Sequence, residues 1–532
     1  MNQAKQPTNY SALSTLVIVF FFWGFIAASN GIFIPFCKSH FKLSQFESQL
    51  IDTAFYGAYF IGSFILLIFT AITKIDILNK IGYRKGIIVG LFISIGGALL
   101  MIPAVNSGSF YFILGALFVI ALGFSLQQTA AQPFAIALGD PSTGSHRLNL
   151  GGSVNSFGTT IGPLIVSIAL FGSIKDTASA SADIGQIKSL YYIVAGVFLL
   201  AALIFIFSKK LPKINFDEHV EQSSKAITSL TLLTIGLIAI ILIGQYTNVG
   251  KLELTSASLI LVFIVLFASY GAAKKKGDGW GAMKYPQLIL GMLAIFVYVG
   301  VEVTIQSNMG ALLKTPEFGS FDESHNSHFI SLYWGSLMIG RWTGAISVFN
   351  LKKQTRRLLT IIVPLIAFAI VLLVNYGRGN DVSDLYLYII CIAILIAGIF
   401  YGQEKPVKTL LTLSILASIA MIIGMLTTGM VATYAFMSGG LFCSVMWPCI
   451  FSLGVAGLGK HTSEGSAFLI MMILGGAIIP PLQGALTDKM DIHSSYLVAV
   501  VCFIYLAWHS LRTRSVLKAQ GLDFDNMIGG GH

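Results

Sequence analysis

The sequence predicts an all-α polytopic membrane protein with about sixteen spans. Three observations predict it. Of the 532 residues, 55% are hydrophobic and 11% charged, whereas soluble domains carry about 25% charged residues. The mean hydropathy is +0.81. The apolar residues also fall in long blocks rather than amphipathic stripes, and about 18 consecutive apolar residues suffice to cross a bilayer.

The blocks run in order. Six come first, near 12–36, 50–72, 86–105, 109–138, 147–173 and 189–207. A polar linker with Lys209, Lys210 and Lys213 follows, then two blocks at 226–246 and 256–273. After the run Lys274, Lys275 and Lys276, spans are expected near 288–312 and 327–350. Blocks at 358–375 and 385–402 precede four last spans near 407–427, 431–455, 464–484 and 492–511. Merging a weak pair would leave fourteen. The tail 519–532 carries no readable chemistry and is expected to be disordered. The first block is long and lacks a small-residue cleavage site, so it is read as a retained span.

Charge placement fixes an expected orientation. With sixteen alternating spans and a cytoplasmic N-terminus, 24 of the 33 Lys and Arg fall on the cytoplasmic side and eight outside, Arg341 lying in a span. That bias is the positive-inside pattern and puts both termini in the cytoplasm. The net charge of +10 sits in these short clusters, with no basic domain and no nucleic-acid motif. Two clusters, Lys80/Arg84/Lys85 and Lys352/Lys353/Arg356/Arg357, each follow the second span of a half. They hint at two related six-span halves, although each also reads as an ordinary topogenic cluster. The five cysteines form no CxxC pair, so neither a metal nor a disulfide framework is expected.

Polar side chains in hydrocarbon are costly and must face a partner or a cavity. Here they gather in particular spans. The first holds Trp23 and Asn30, and the second Asp52, Tyr56 and Tyr59. The fourth holds Gln127, Gln128 and Gln132, with Pro133 expected to break the helix. The fifth holds Asn149 and Asn155. Past the linker come Glu302 and Gln306, on one face by their i, i+4 spacing, then Tyr333, Trp334 and Arg341, and later Trp447-Pro448 and Pro480-Pro481. Amides and a carboxylate suit sugar hydroxyls, and aromatic rings suit a sugar's C–H face. Each single amide also reads as interhelical glue, and each Trp as packing or an interface anchor. Asp52 also reads as a solvated helix start, and Arg341 as the structural partner of a carboxylate.

Longer stretches carry a resemblance. AFYGAYFIGS (54–63), LQQTAAQPF (126–134), HRLNLGGSVNSFGTTIGP (146–163), YVGVEVTIQS (298–307), GSLMIGRWTG (335–344), MWPCIFSLGVAGLG (446–459) and SAFLIMMILGGAIIPPLQG (466–484) lie in both halves. On these the chain resembles the fucose–proton symporter family of the major facilitator superfamily, and within it the bacterial glucose/galactose transporters. The resemblance implies two six-helix bundles around a central sugar cavity. It leaves the hairpins near 226–273 and 358–402 as insertions. The expected bodies are an N-terminal bundle 1–207, a linker with its hairpin 208–287 and a C-terminal bundle 288–518.

Departures from that family matter most. Where the proton symporter has an aspartate ahead of the end of span one, this chain has Gly31, and where it has a glutamate in span four, this chain has Gln128. Neither can titrate, so the symporter's mechanism does not transfer to those positions. The remaining acids are Glu302 and Asp52. Some relatives are sodium-coupled, and carboxylate, amide and carbonyl oxygens suit a hard cation. Na+ coupling through Glu302, with Asp52 second, is therefore expected, ahead of H+ coupling and uncoupled uniport. The expected sugar contacts are Trp23, Asn30, Gln127, Gln128, Gln132, Asn155, Phe157, Glu302, Gln306, Trp334 and Trp447. No cofactor beyond the co-transported ion is expected, and a monomer would suffice. The rival class, a membrane enzyme acting on a lipid-linked sugar, would need paired carboxylates or a His cluster. The nine histidines are scattered, with His325 and His328 read as solvated in an outer loop.

Overall fold

The computed structural model describes residues 6–42, 45–171, 184–213, 223–275, 278–321 and 323–523. Sixteen long helical rods run through them. In the first half these are α1 (Tyr10–His40), α2 (Gln45–Thr73), α3 (Tyr83–Ser107), α4 (Phe110–Ala137), α5 (Gly144–Phe171) and α6 (Ile184–Phe207). A hairpin of α7 (Ser224–Tyr246) and α8 (Lys251–Lys275) follows. Next come α9 (Pro286–Leu313) and α10 (Glu323–Ala345), then a second hairpin of α11 (Lys353–Gly377) and α12 (Ser383–Gly402). The last four are α13 (Pro406–Leu426), α14 (Gly429–Gly454), α15 (Gly459–Thr487) and α16 (Ile492–Ala519). Thirteen are long and apolar enough to cross a membrane. Among the described residues the other three rods, α1, α5 and α10, fall outside that set. The expected tail falls mostly on 524–532, outside the described residues.

The packing repeats between halves. In the first, α3 packs on α4 and α6, and α1 on α5. In the second, α13 packs on α14 and α16, and α9 on α15. The halves meet at two seams, α2 against α15 and α5 against α10. Both hairpins are peripheral, and each flanks one seam. α8 packs on α9 and α15 while α7 touches α2; α11 packs on α10 and α12 on α13.

Apolar burial does not drive helices together in lipid, so close backbone approach must. The α1–α5 contact shows how. A methyl on Gly24 would stand 2.0 Å from the carbonyl oxygen of Asn155, and one on Gly158 2.3 Å from that of Phe21. Only glycine fits either place. Gly158→Ala is expected to force α1 off α5 and cost about 1–3 kcal/mol. A lowered thermal midpoint would check this, and an unchanged one would contradict the contact.

Arg147 is fully buried at the start of α5. Its guanidinium donates to the carbonyls of Ala135, Ile136 and Asp140 and to the Thr143 hydroxyl. It thus supplies partners at the end of α4, where helical carbonyls lack them.

Pro133 does not break its helix. α4 runs through it to Ala137. A proline lacks the N–H that would bond the carbonyl four residues back. That carbonyl belongs to Thr129, and it accepts instead from the Ser466 hydroxyl of α15 at 2.8 Å. α15 likewise continues through Pro480 and Pro481. The interruptions fall elsewhere, at Ser444–Val445 in α14 and at a tight turn over Met472–Leu474 in α15.

Candidate functional site

A cavity of about 190 Å3 lies between the halves. One water needs roughly 10–15 Å3 measured this way, so the space is ligand-sized. Its walls come from α1, α2, α4 and α5 on one side and α9, α10, α14 and α15 on the other. The same four positions of each half therefore face it.

From the first half, Trp23, Tyr59, Gln128, Gln132 and Asn155 reach the wall. Trp23 lies against Phe20, ring centres 4.4 Å apart, and its Nε1 donates to Gln127 Oε1 at 3.0 Å. Gln127 in turn donates to Ser94 Oγ at 3.0 Å. Gln127 is thus turned into its own bundle: it holds the indole rather than lining the cavity, which corrects the expectation. Gln128 faces the cavity and donates to the Tyr59 hydroxyl at 3.0 Å. Gln132 Oε1 is buried on the same wall with no protein partner. Asn155 donates to the Phe20 carbonyl at 3.0 Å, which leaves its carbonyl oxygen turned to the seam.

From the second half come Tyr298, Glu302, Trp334, Arg341 and Trp447. The break in α14 precedes Trp447-Pro448 and leaves the indole on the wall, 6.0 Å from the Tyr298 ring. Glu302 lies 3.6 Å from the Arg341 guanidinium, with 13% of its side chain exposed. Arg341 also donates to Asn155 Oδ1 at 3.3 Å and to Ser156 Oγ at 3.0 Å, both in the other half. One guanidinium therefore joins the carboxylate of α9 to the polar face of α5.

This geometry gives the sodium expectation at Glu302 no support. A bound hard cation wants oxygens all round it and no neighbouring positive charge. Glu302 already faces a guanidinium, and among the described residues no cluster of acids, His or Cys could hold a metal.

Three further expectations change. Phe157 points away from the cavity: it is 40% exposed and packs 6.4 Å from Trp342 on the outer side of the α5–α10 seam. Gln306 follows Glu302 by one turn but does not line the cavity. His328 is buried against Phe329 rather than solvated. The side chains of Asn30, Gly31, Asp52 and His325 lie outside the described residues. Tyr298 was missed, although it sits four residues before Glu302 and so shares its helix face.

The face carrying both chain ends is closed. Hydrogen bonds cross the halves from Tyr10 to the Val348 carbonyl, from Asn79 to the Lys460 carbonyl, and between His146 and the Glu404 carbonyl. Nearer the cavity, Ser153 and Trp342 continue the seal across α5 and α10.

Between α2 and α3, Asp76 caps a short helix through the N–H groups of Leu78 and Asn79, and accepts from Ser463 of the other half. Burial pushes its carboxyl up to about 6; the Asn79 N–H opposes this, the Glu464 carboxylate adds to it, and the Leu78 N–H and Ser463 hydroxyl oppose it. The folded value lies above the ordinary one, so the folded state holds the proton more tightly. Its stabilisation is complete below about pH 4 and lost as pH rises through about 6, about 2–3 kcal/mol in all. Asp76→Asn keeps a capping oxygen and is expected to flatten this part of the thermal midpoint's pH profile. An unchanged profile between pH 4 and 7 would rule out Asp76 as its source.

Two paired helix bundles with a polar cavity at their seam have the architecture of a secondary transporter. The chain belongs to the Major Facilitator Superfamily, whose family profile matches residues 15–407. It is 31% identical over 510 residues to a glucose/galactose transporter of Brucella abortus, covering 96% of each chain. It is 24% identical over 503 residues to the L-fucose-proton symporter of Escherichia coli, covering 92% of this chain and 90% of that one. Among solved structures it is similar to the superfamily transporter FucP in its outward conformation, with a TM-score of 0.63 and 23% identity over 94% of this chain and 98% of that one. The family sets the chain among membrane transporters rather than membrane enzymes.

Proposed function

We propose that this chain moves a hexose across the bacterial cytoplasmic membrane by alternating access, with both termini in the cytoplasm and a proton as the coupled ion. The observation that carries the reading is the cavity wall. Indoles from both halves, Trp23 and Trp447, offer flat faces, while Gln128, Gln132 and Asn155 offer amides and Glu302 a carboxylate. Rings and amides in that mixture fit the C–H faces and hydroxyls of a pyranose. The names of the relatives, glucose/galactose transporter and L-fucose-proton symporter, point to the same substrate class.

Coupling is assigned to the Glu302–Arg341 pair. A proton on Glu302 removes its attraction for Arg341, and Arg341 also holds Asn155 and Ser156 of the other half. Protonation therefore releases, from its partner within the second half, the guanidinium that also spans the seam, and so changes how the two halves are held together. Bundles 1–207 and 288–518 are the bodies that rock, and the two hairpins ride beside the seams. Asp52 is not needed in this scheme.

The test is uptake of labelled glucose, galactose and fucose into proteoliposomes, with an inward H+ or an inward Na+ gradient imposed separately. Accumulation under the H+ gradient alone is expected. Accumulation under Na+ alone would overturn the coupling ion. Equilibration without accumulation would make the protein a uniporter, and no flux of any of the three would overturn the substrate class.

A further inference from the structure

The membrane face of the α5–α10 seam carries a groove of about 510 Å3. One wall is Leu150, Ser153, Val154 and Phe157 of α5, and the facing wall is Trp342, Ala345, Ile346 and Phe349 at the end of α10. The α5 set has the spacing i, i+3, i+4, i+7 and is a single stripe about two turns, or ~10 Å, long; the facing set runs from the last turn of α10 through the tight turn Ile346–Val348 to Phe349. The inserted α11 adds Leu359 and Val363 as a third wall. The polar atoms in these walls are already used. Ser153 Oγ donates to the Asn149 and Arg341 carbonyls, and Trp342 Nε1 to the Ser153 carbonyl. Nothing in the groove rewards water, so its occupant must be apolar along its length.

The groove ends on the face of the chain termini, where the chain turns into α11 through Leu351, Lys352 and Lys353. Lys352, Lys353 and Arg357 are exposed there. Arg356 is engaged by Glu404 at 2.9 Å, whereas residues 346–363 contain no Asp or Glu to neutralise the other three. An apolar slot beneath three exposed cations matches one amphiphile: an acyl chain with a phosphate at its end.

We propose that this groove is a phospholipid site, with one acyl chain lodged between α5, α10 and α11 and an anionic headgroup held by Lys352, Lys353 and Arg357. Its walls belong to opposite halves, so the slot changes shape whenever α5 and α10 move apart. A lipid bound there favours the arrangement with the slot intact. The inserted hairpin thereby acquires a function, as the third wall that separates this lipid from the bulk bilayer. The inference does not depend on which solute the central cavity takes.

The test uses full-length protein with a single tryptophan, either Trp342 in the groove or Trp508, which is 43% exposed on α16. Both are reconstituted in phosphatidylethanolamine, and phosphatidylglycerol with brominated acyl chains is titrated in as a fluorescence quencher. Quenching of Trp342 is expected to saturate at a several-fold lower mole fraction than quenching of Trp508. Replacing Lys352, Lys353 and Arg357 together with Gln is expected to bring the two curves together. Coincident curves before those changes would overturn the site. Equal quenching of Trp342 by brominated phosphatidylethanolamine would overturn the anionic headgroup. Native mass spectrometry of the unsubstituted protein guards against misfolding of the variants. One phosphatidylglycerol retained through delipidation is expected, and none retained would also overturn the proposal.

Discussion

Glu302→Gln is expected to abolish gradient-driven accumulation while leaving sugar exchange in place. The substitution keeps size and hydrogen-bonding capacity but removes the titratable group. A neutral sugar moving with one proton carries one charge, and 100 mV supplies about 2.3 kcal/mol to it. That corresponds to roughly 50-fold accumulation, which should fall to about 1 in the variant. Exchange between sugar inside and outside needs no net ion flux and should continue, since Trp23, Gln128 and Trp447 are unchanged. Accumulation that persists in Glu302→Gln would remove this acid from the coupling scheme. Loss of exchange together with accumulation would instead make the Glu302 carboxylate a sugar contact that the cavity cannot do without.

Arg341→Ala is expected to have the largest effect on stability. The side chains of the pair are only 12% and 13% exposed. Removing one partner of a buried pair leaves the other charge uncompensated, at a cost of about 3–5 kcal/mol. The cavity admits some water, so about 3 kcal/mol is expected here. The variant also loses the bonds to Asn155, Ser156 and the Ser444 carbonyl. Thermal unfolding of the single variant and of Arg341→Ala with Glu302→Gln separates the two contributions. The double variant should recover most of the loss, because no bare carboxylate remains. Equal midpoints for the single and double variants would show that the ion pair contributes little.

The rods were legible in the sequence because the bilayer imposes a length on every apolar block. All sixteen expected blocks are helical among the described residues. The polar inventory was legible for a related reason: lipid tolerates few such groups, so Gln128, Asn155, Glu302 and Arg341 stood out against their neighbours. Which way each one turns was not legible. Gln127 and Gln128 are adjacent and chemically identical, yet a rotation of about 100° about the helix sends one to Ser94 and the other to the cavity. Phe157 is misplaced for the same reason, since hydropathy does not distinguish a ring facing lipid from one facing a sugar. The cation beside Glu302 was not legible either. Glu302 and Arg341 are 39 positions apart on different rods, and only packing brings them to 3.6 Å.

The proline in α4 has a kinetic meaning. An ordinary helical carbonyl is satisfied internally and is indifferent to what its neighbours do. Thr129 cannot be satisfied that way, and its partner Ser466 lies across the seam. Whenever the protein opens towards the face of its chain ends, that oxygen must exchange a hydroxyl for water or go without. A net hydrogen bond contributes about 1 kcal/mol, close to a fivefold change in an equilibrium. In the proposed cycle the missing N–H of Pro133 is thus expected to lengthen the dwell time of one orientation over the other. Alanine at 133 is expected to shift the ratio of the two waits by up to about fivefold, by letting α4 take its carbonyl back.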